Sequence, residues 1–321
     1  MHSPNRAARA GVTLVACLAL FACGGSAPAI TPATRVSPTP VPTPTPAPTV
    51  ATTPTPSNGV PITKLLTKCP PPRAFSSLQR FASVGGAGDI DVAPDGSVWV
   101  STGARGVIAH LSASGAAMAS YNEPTPQGLV VLANGDVLFA DQGADSIVEL
   151  NPSTLSVTTF LQLTPRSGQP NVDGLGVDPA KGLLLVPDTA QGQLLSIPLS
   201  GGGSTVLGTG VPSPVDAAVG PGNVIEIASS SISGMLSMPS SGGAAKPYGL
   251  SLHLASVVVS GLLVYFTVPP SKRVYAFNPA TGHTAVLVTA IPNPQGLALL
   301  SDGRLVVSDA TTGTLAAFPH C

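Results

Sequence analysis

Charge is scarce in this chain. Only 9% of its 321 residues are Asp, Glu, Lys or Arg, and the formal net charge is −1. The one basic pair is Lys272-Arg273, so no basic face exists to bind nucleic acid. Aromatic residues make up 4%, with a single Trp, Trp99, which excludes blades of the WD type and their repeated Trp-Asp signature. Long stretches of Glu, Lys, Arg, Leu and Ala in helical period are lacking, so a coiled coil or helical bundle is excluded too. No Gly-x-Ser-x-Gly elbow occurs, and His110, His253, His283 and His320 are scattered without metal-ligand spacing. What is plentiful is Pro and Gly, 35 of each, in a chain that is 43% hydrophobic. That content supports a real core and rules out wholesale disorder.

The N-terminus reads as an address. Arg6 and Arg9 precede an apolar run from Val12 to Ala22 and then Gly24-Gly25-Ser26, the arrangement of a secretory signal peptide. The run is too short for a bilayer span, which needs roughly 20 residues. Its end, Leu20-Phe21-Ala22-Cys23, resembles the lipobox of bacterial lipoproteins. The resemblance implies cleavage after residue 22, a lipid on Cys23, and an exported chain anchored to the membrane on its extracytoplasmic side. Between Pro28 and Pro61 the chain is Pro-Thr low complexity holding eleven of the 35 prolines. Such a segment buries no core and extends as polyproline II, reaching on the order of 100 Å. The expected organisation is therefore a signal peptide over 1–22, a lipidated Cys and disordered linker over 23–62, and one folded domain over 63–321.

That domain repeats. Asp89-Ile-Asp-Val-Ala-Pro-Asp-Gly96-Ser-Val-Trp-Val-Ser101 matches Gly128-Leu-Val-Val-Leu-Ala-Asn-Gly135-Asp-Val-Leu-Phe-Ala-Asp141 and Gly296-Leu-Ala-Leu-Leu-Ser-Asp-Gly303-Arg-Leu-Val-Val-Ser-Asp309. Looser copies start at Gly174, Asp216 and Ala255, giving separations of 39, 46, 42, 39 and 41 residues. Each unit holds four short apolar strands, the first two joined by a turn ending in Gly. Asp-Gly and Asn-Gly there predict two-residue hairpin turns with φ > 0 at both positions. Four antiparallel strands per unit is a propeller blade, so the fold class is all-β, a six-bladed β-propeller.

The last unit lacks its outer strand, while an unassigned apolar stretch, Leu78 to Val84, precedes the first. Using that stretch as the final blade's fourth strand closes the ring and leaves no open edge. It also brings Cys69 beside Cys321, an expected disulfide suited to an exported protein.

The stretch Gly135 to Leu150, with Ala140-Asp141, Gly143, and Ser146-Ile147, resembles the NHL and gluconolactonase (senescence-marker-protein) propellers. Gly88 to Gly115 resembles a blade of the streptogramin-lyase propellers. The gluconolactonase resemblance implies a divalent cation held by residues just before the Gly that opens each inner strand. Asp173-Gly174 matches one such element, but no Glu or Asn stands in the other slots. Those slots, or the residue beside them, hold Asp89, Gln127, Asp216 and Gln295, so the candidate channel ligands are Asp173, Asp216, Asp89, Gln127 and Gln295. Asp141, Asp188 and Asp309, at second-strand ends, are expected to bind backbone N–H groups of the loops that follow. With no complete catalytic set, the leading expectation is a monomeric lipoprotein that binds a protein, glycan or small molecule. The alternatives are a metal-dependent lactone or ester hydrolase, and an enzyme like the streptogramin lyases.

Overall fold

A computed structural model describes residues 69–164, 172–231 and 233–321; the signal peptide, Cys23 and the whole 23–62 linker lie outside these residues. Six antiparallel sheets are arranged around an axis with their first strands neighbouring one another in a ring. Blade 1 runs Ile90–Val92, Val98–Thr102, Val107–Leu111 and Ala117–Asn122 from the axis outward. Blade 2 starts at Pro126–Val131, blade 3 at Gly176–Asp178, blade 4 at Pro214–Gly220, blade 5 at Val257–Ser260 and blade 6 at Pro294–Leu299. These starts follow the repeat read from the sequence.

Burial peaks at the second strand of each blade and falls toward the outermost strand. Second strands such as Val98–Thr102 and Leu263–Val268 are buried at every position, because each is covered on both faces by neighbouring blades, so both faces are apolar rather than one. Fourth strands such as Ala117–Asn122 are mostly exposed. Blade 6 takes its outermost strand from the N-terminal side: Gln79–Ser83 lies antiparallel to Thr314–Pro319. One pairing was not foreseen. Arg73–Ala74 adds a short parallel strand to the edge of blade 5, opposite Val288–Thr289. The Cys69–Cys321 disulfide joins positions 252 residues apart at this seam.

The turns inside the clearest repeats differ from expectation. Gly96, Gly135 and Gly303 have positive φ, but the residues before them do not. Each loop has three residues: Gly96 N donates to Ala93 O and Ala93 N to Ser97 O, both at 2.8 Å. This is a type I turn followed by a left-handed glycine. In the first copy Pro94 supplies the fixed φ of the turn's second position.

The inner strands are tied blade to blade, and that shapes the axis. Gly128 N donates to Asp173 O and Gly174 N to Val215 O, both at 2.6 Å, and Gly296 N to Gly88 O at 3.1 Å. Such close approach needs glycine: a Cβ on Gly174 would lie 2.4 Å from Val215 O, and one on Gly176 1.9 Å from Ala217 O. Thr267 Oγ1 donates to Gln295 O at 2.6 Å to join blades 5 and 6.

Candidate functional site

Two of the six joints are made by carboxylates. Asp89 Oδ2 accepts Leu129 N at 3.1 Å, and Asp91 Oδ2 accepts Val131 N at 2.7 Å, linking blade 1 to blade 2. On the opposite side of the ring, Asp216 Oδ2 accepts Val257 N at 2.8 Å and links blade 4 to blade 5. Each acid thus satisfies an N–H that an inner strand would otherwise leave unpaired in the interior. Asp91 also accepts Val92 N, and Asp216 accepts Ala217 N, at 2.8 Å each.

All five sequence candidates meet at one place. Asp89, Gln127, Asp173, Asp216 and Gln295 line a neck on the axis with a free volume of only about 40 Å³. Asp91, outside the candidate set, stands two residues along from Asp89 on the same strand face. The neck shares Asp89, Asp216 and Ser256 with a cup of about 620 Å³ on one side. On the other side it shares Asp173, Ala255 and Gln295 with a hollow of about 380 Å³.

The cup is apolar. Val92, Val131, Val177, Val219, Val259 and Leu299 contribute to it, one from each blade. Among the described residues, Asp89, Asp91 and Asp216 are the only charged ones in its wall. Withdrawal from water disfavours their ionised forms. Burial, and then the facing carboxylate of Asp216, push Asp89 well above the ordinary carboxylate range. Burial raises Asp216 to about 7 and Asp91 to about 6, each partly offset by its backbone N–H bonds.

The hollow is different in kind. It holds Ser230, His253, Pro269 and Pro270 beside Asp173 and Gln295. His253 Nδ1 lies 2.5 Å from Ser230 O. A carbonyl only accepts, so Nδ1 carries a proton, and in the neutral ring Nε2 is then the acceptor. Burial raises Asp173 to about 6. Sequence reading placed His253 among scattered histidines. The signal was its position, directly before Leu254 in the slot that opens the inner strand of blade 5.

A divalent cation does not fit this arrangement. Among the described residues no three His, Cys, Asp or Glu side chains are grouped so as to share an ion. A hard cation wants several oxygens at once, and one oxygen each of Asp89 and Asp216 is already taken, by Leu129 and Val257 on opposite sides of the ring.

The carboxylates at second-strand ends do the structural work expected of them. Asp141 Oδ1 accepts Gly143 N at 3.0 Å, Asp188 Oδ1 accepts Gln191 N at 2.8 Å, and Asp309 Oδ1 accepts Thr311 N at 3.2 Å. Tyr265 and Phe266, in the second strand of blade 5, are buried.

No family model and no curated protein sequence matches the chain. Solved structures do. A streptogramin B lyase is 14% identical with a TM-score of 0.57, over 75% of this chain and 96% of that one. Regucalcin from Agrobacterium tumefaciens, described as a calcium-binding protein, is 15% identical with a TM-score of 0.61, over 75% of this chain and 95% of its own. A nidogen/laminin complex matches at 14% identity and a TM-score of 0.58, over 66% of this chain and 84% of the other. The fold is shared. At these identities the likeness extends to the six-bladed architecture and no further.

Proposed function

We propose that this chain is an exported binding propeller, anchored to the membrane through a lipid on Cys23 and spaced from it by the 23–62 linker, that receives a small molecule in its central channel. The observation that carries this reading is the cup of about 620 Å³. Its size and apolar wall with a few convergent polar groups are those of small-molecule sites. Loss of membrane retention in Cys23→Ala is the expected result for the anchor, read by fractionation; unchanged retention contradicts it.

The binding claim is tested with N-phenyl-1-naphthylamine, a neutral apolar fluorophore. The expected result is saturable binding at one site, with amide-exchange protection confined to the inner strands at 90–92, 129–131, 175–177, 217–219, 257–259 and 297–299. No saturable binding, or protection elsewhere, overturns it.

A second reading is acid–base catalysis in the hollow, in the manner of a lyase or hydrolase. It is favoured by His253, whose Nε2 is left as an acceptor by the Ser230 carbonyl, beside Asp173 with its raised pKa. On that reading, exchange protection by a substrate would fall on residues 253–255 instead of the cup.

A further inference from the structure

We infer that the cup selects molecules with one positive charge on an apolar body: primary amines or quaternary ammonium compounds. The inference rests on the cup being the binding site proposed above. Among the described residues the wall contains three carboxylic acids and no Lys, Arg or His, so whatever enters meets acid groups with no described counter-charge beside them. These groups cannot turn away, because Leu129, Val131 and Val257 N–H hold one oxygen of each. A carboxylate offers about four acceptor positions. The backbone leaves part of that capacity at each acid open to a donor in the cup.

The energetics favour a cation over its neutral and anionic analogues. Desolvation of the acids is already built into the fold, since Asp91 and Asp216 occupy their positions with or without a guest. A cation seated by these acids gains Coulomb attraction to an ionised carboxylate in a weakly screened site, and it eases the ionisation of Asp89 that burial and Asp216 oppose. A neutral guest gains only the apolar term, and an anion adds a further like charge. The apolar wall from all six blades then favours a hydrocarbon body over a hydrated inorganic cation.

The experiment compares octylamine, 1-octanol and octanoate by calorimetric titration of the purified chain at pH 7.5. All three carry the same hydrocarbon, so only the head group varies. The expected order is octylamine at least tenfold tighter than octanol, with octanoate giving no measurable binding. Asp91→Asn, which removes the charge and keeps one acceptor for the Val131 N–H while giving up the bond to Val92 N–H, should narrow the gap between octylamine and octanol. Equal affinity for octylamine and octanol overturns charge selection and leaves the cup as a binding site. Absence of binding by all three overturns the inference and the cup reading together.

Discussion

Glu226→Gln is expected to raise the melting temperature at pH 8 by roughly 5 °C and to change it little at pH 5. Glu226 lies in the second strand of blade 4, Val224–Ser229, on the face opposite Ile225 and Ile227, and is 1% exposed. Tyr248 Oη donates to its Oε1 at 3.1 Å, while its Oε2 has no partner among the described residues. Burial raises its pKa to about 7, against the smaller opposing effect of the Tyr248 hydrogen bond. The folded state therefore binds a proton that the unfolded chain releases near pH 4.5. Stability is full below that value and is lost as pH rises through about 7, by about 3 kcal/mol. Gln carries no charge and keeps an acceptor for Tyr248, so it removes this loss. A gain of that size corresponds to a few degrees in a domain of this length.

Asp89, Asp91, Asp173 and Asp216 shift in the same direction, so the wild-type protein should melt at a higher temperature at pH 5 than at pH 8. A melting temperature that rises from pH 5 to pH 8, or no response to Glu226→Gln at pH 8, would contradict this account.

Removing the disulfide should cost more. Cys69 and Cys321 close a loop spanning a sequence separation of 252, and the chain entropy removed from the unfolded state by such a closure is worth about 5 kcal/mol. The bond sits where the ring is joined, beside the pairing of Gln79–Ser83 with Thr314–Pro319. Cys321→Ser is expected to lower the melting temperature by at least about 10 °C. Amide exchange should rise first at Gln79–Ser83 and Arg73–Ala74, whose pairing partners lie in blades 6 and 5. An unchanged melting temperature, or loss of protection spread evenly over the blades, would show that the seam does not depend on the bond.

The fold was legible in the sequence because a propeller repeats its local chemistry. Gly96, Gly135 and Gly303 recur at one place in the unit, and apolar second strands follow them. The turn type was misread because Asp-Gly suits either loop length; Pro94 in the first copy, and the positive φ of only the glycine, decide for three residues. The candidate ring was legible as positions: the slot residues of six repeats must surround one axis, and Asp89, Gln127, Asp173, Asp216 and Gln295 do.

Their bonding was not legible. Whether Asp216 faces a ligand or the N–H of Val257 depends on blade spacing, which the sequence does not state. Glu226 was missed for a related reason. An acid alternating with Ile225 and Ile227 reads as the solvent side of a strand, but a second strand in a propeller has no solvent side. His253 was missed because its partner is a carbonyl, Ser230 O, which no motif records.

The measurement that tests the central claim most directly is a crystal structure of the protein with octylamine. The account predicts the ammonium group within hydrogen-bonding distance of Asp89, Asp91 or Asp216 and the hydrocarbon along the valine and leucine wall of the cup. Octylamine seated in the hollow beside His253, or an empty cup at saturating ligand, would contradict it.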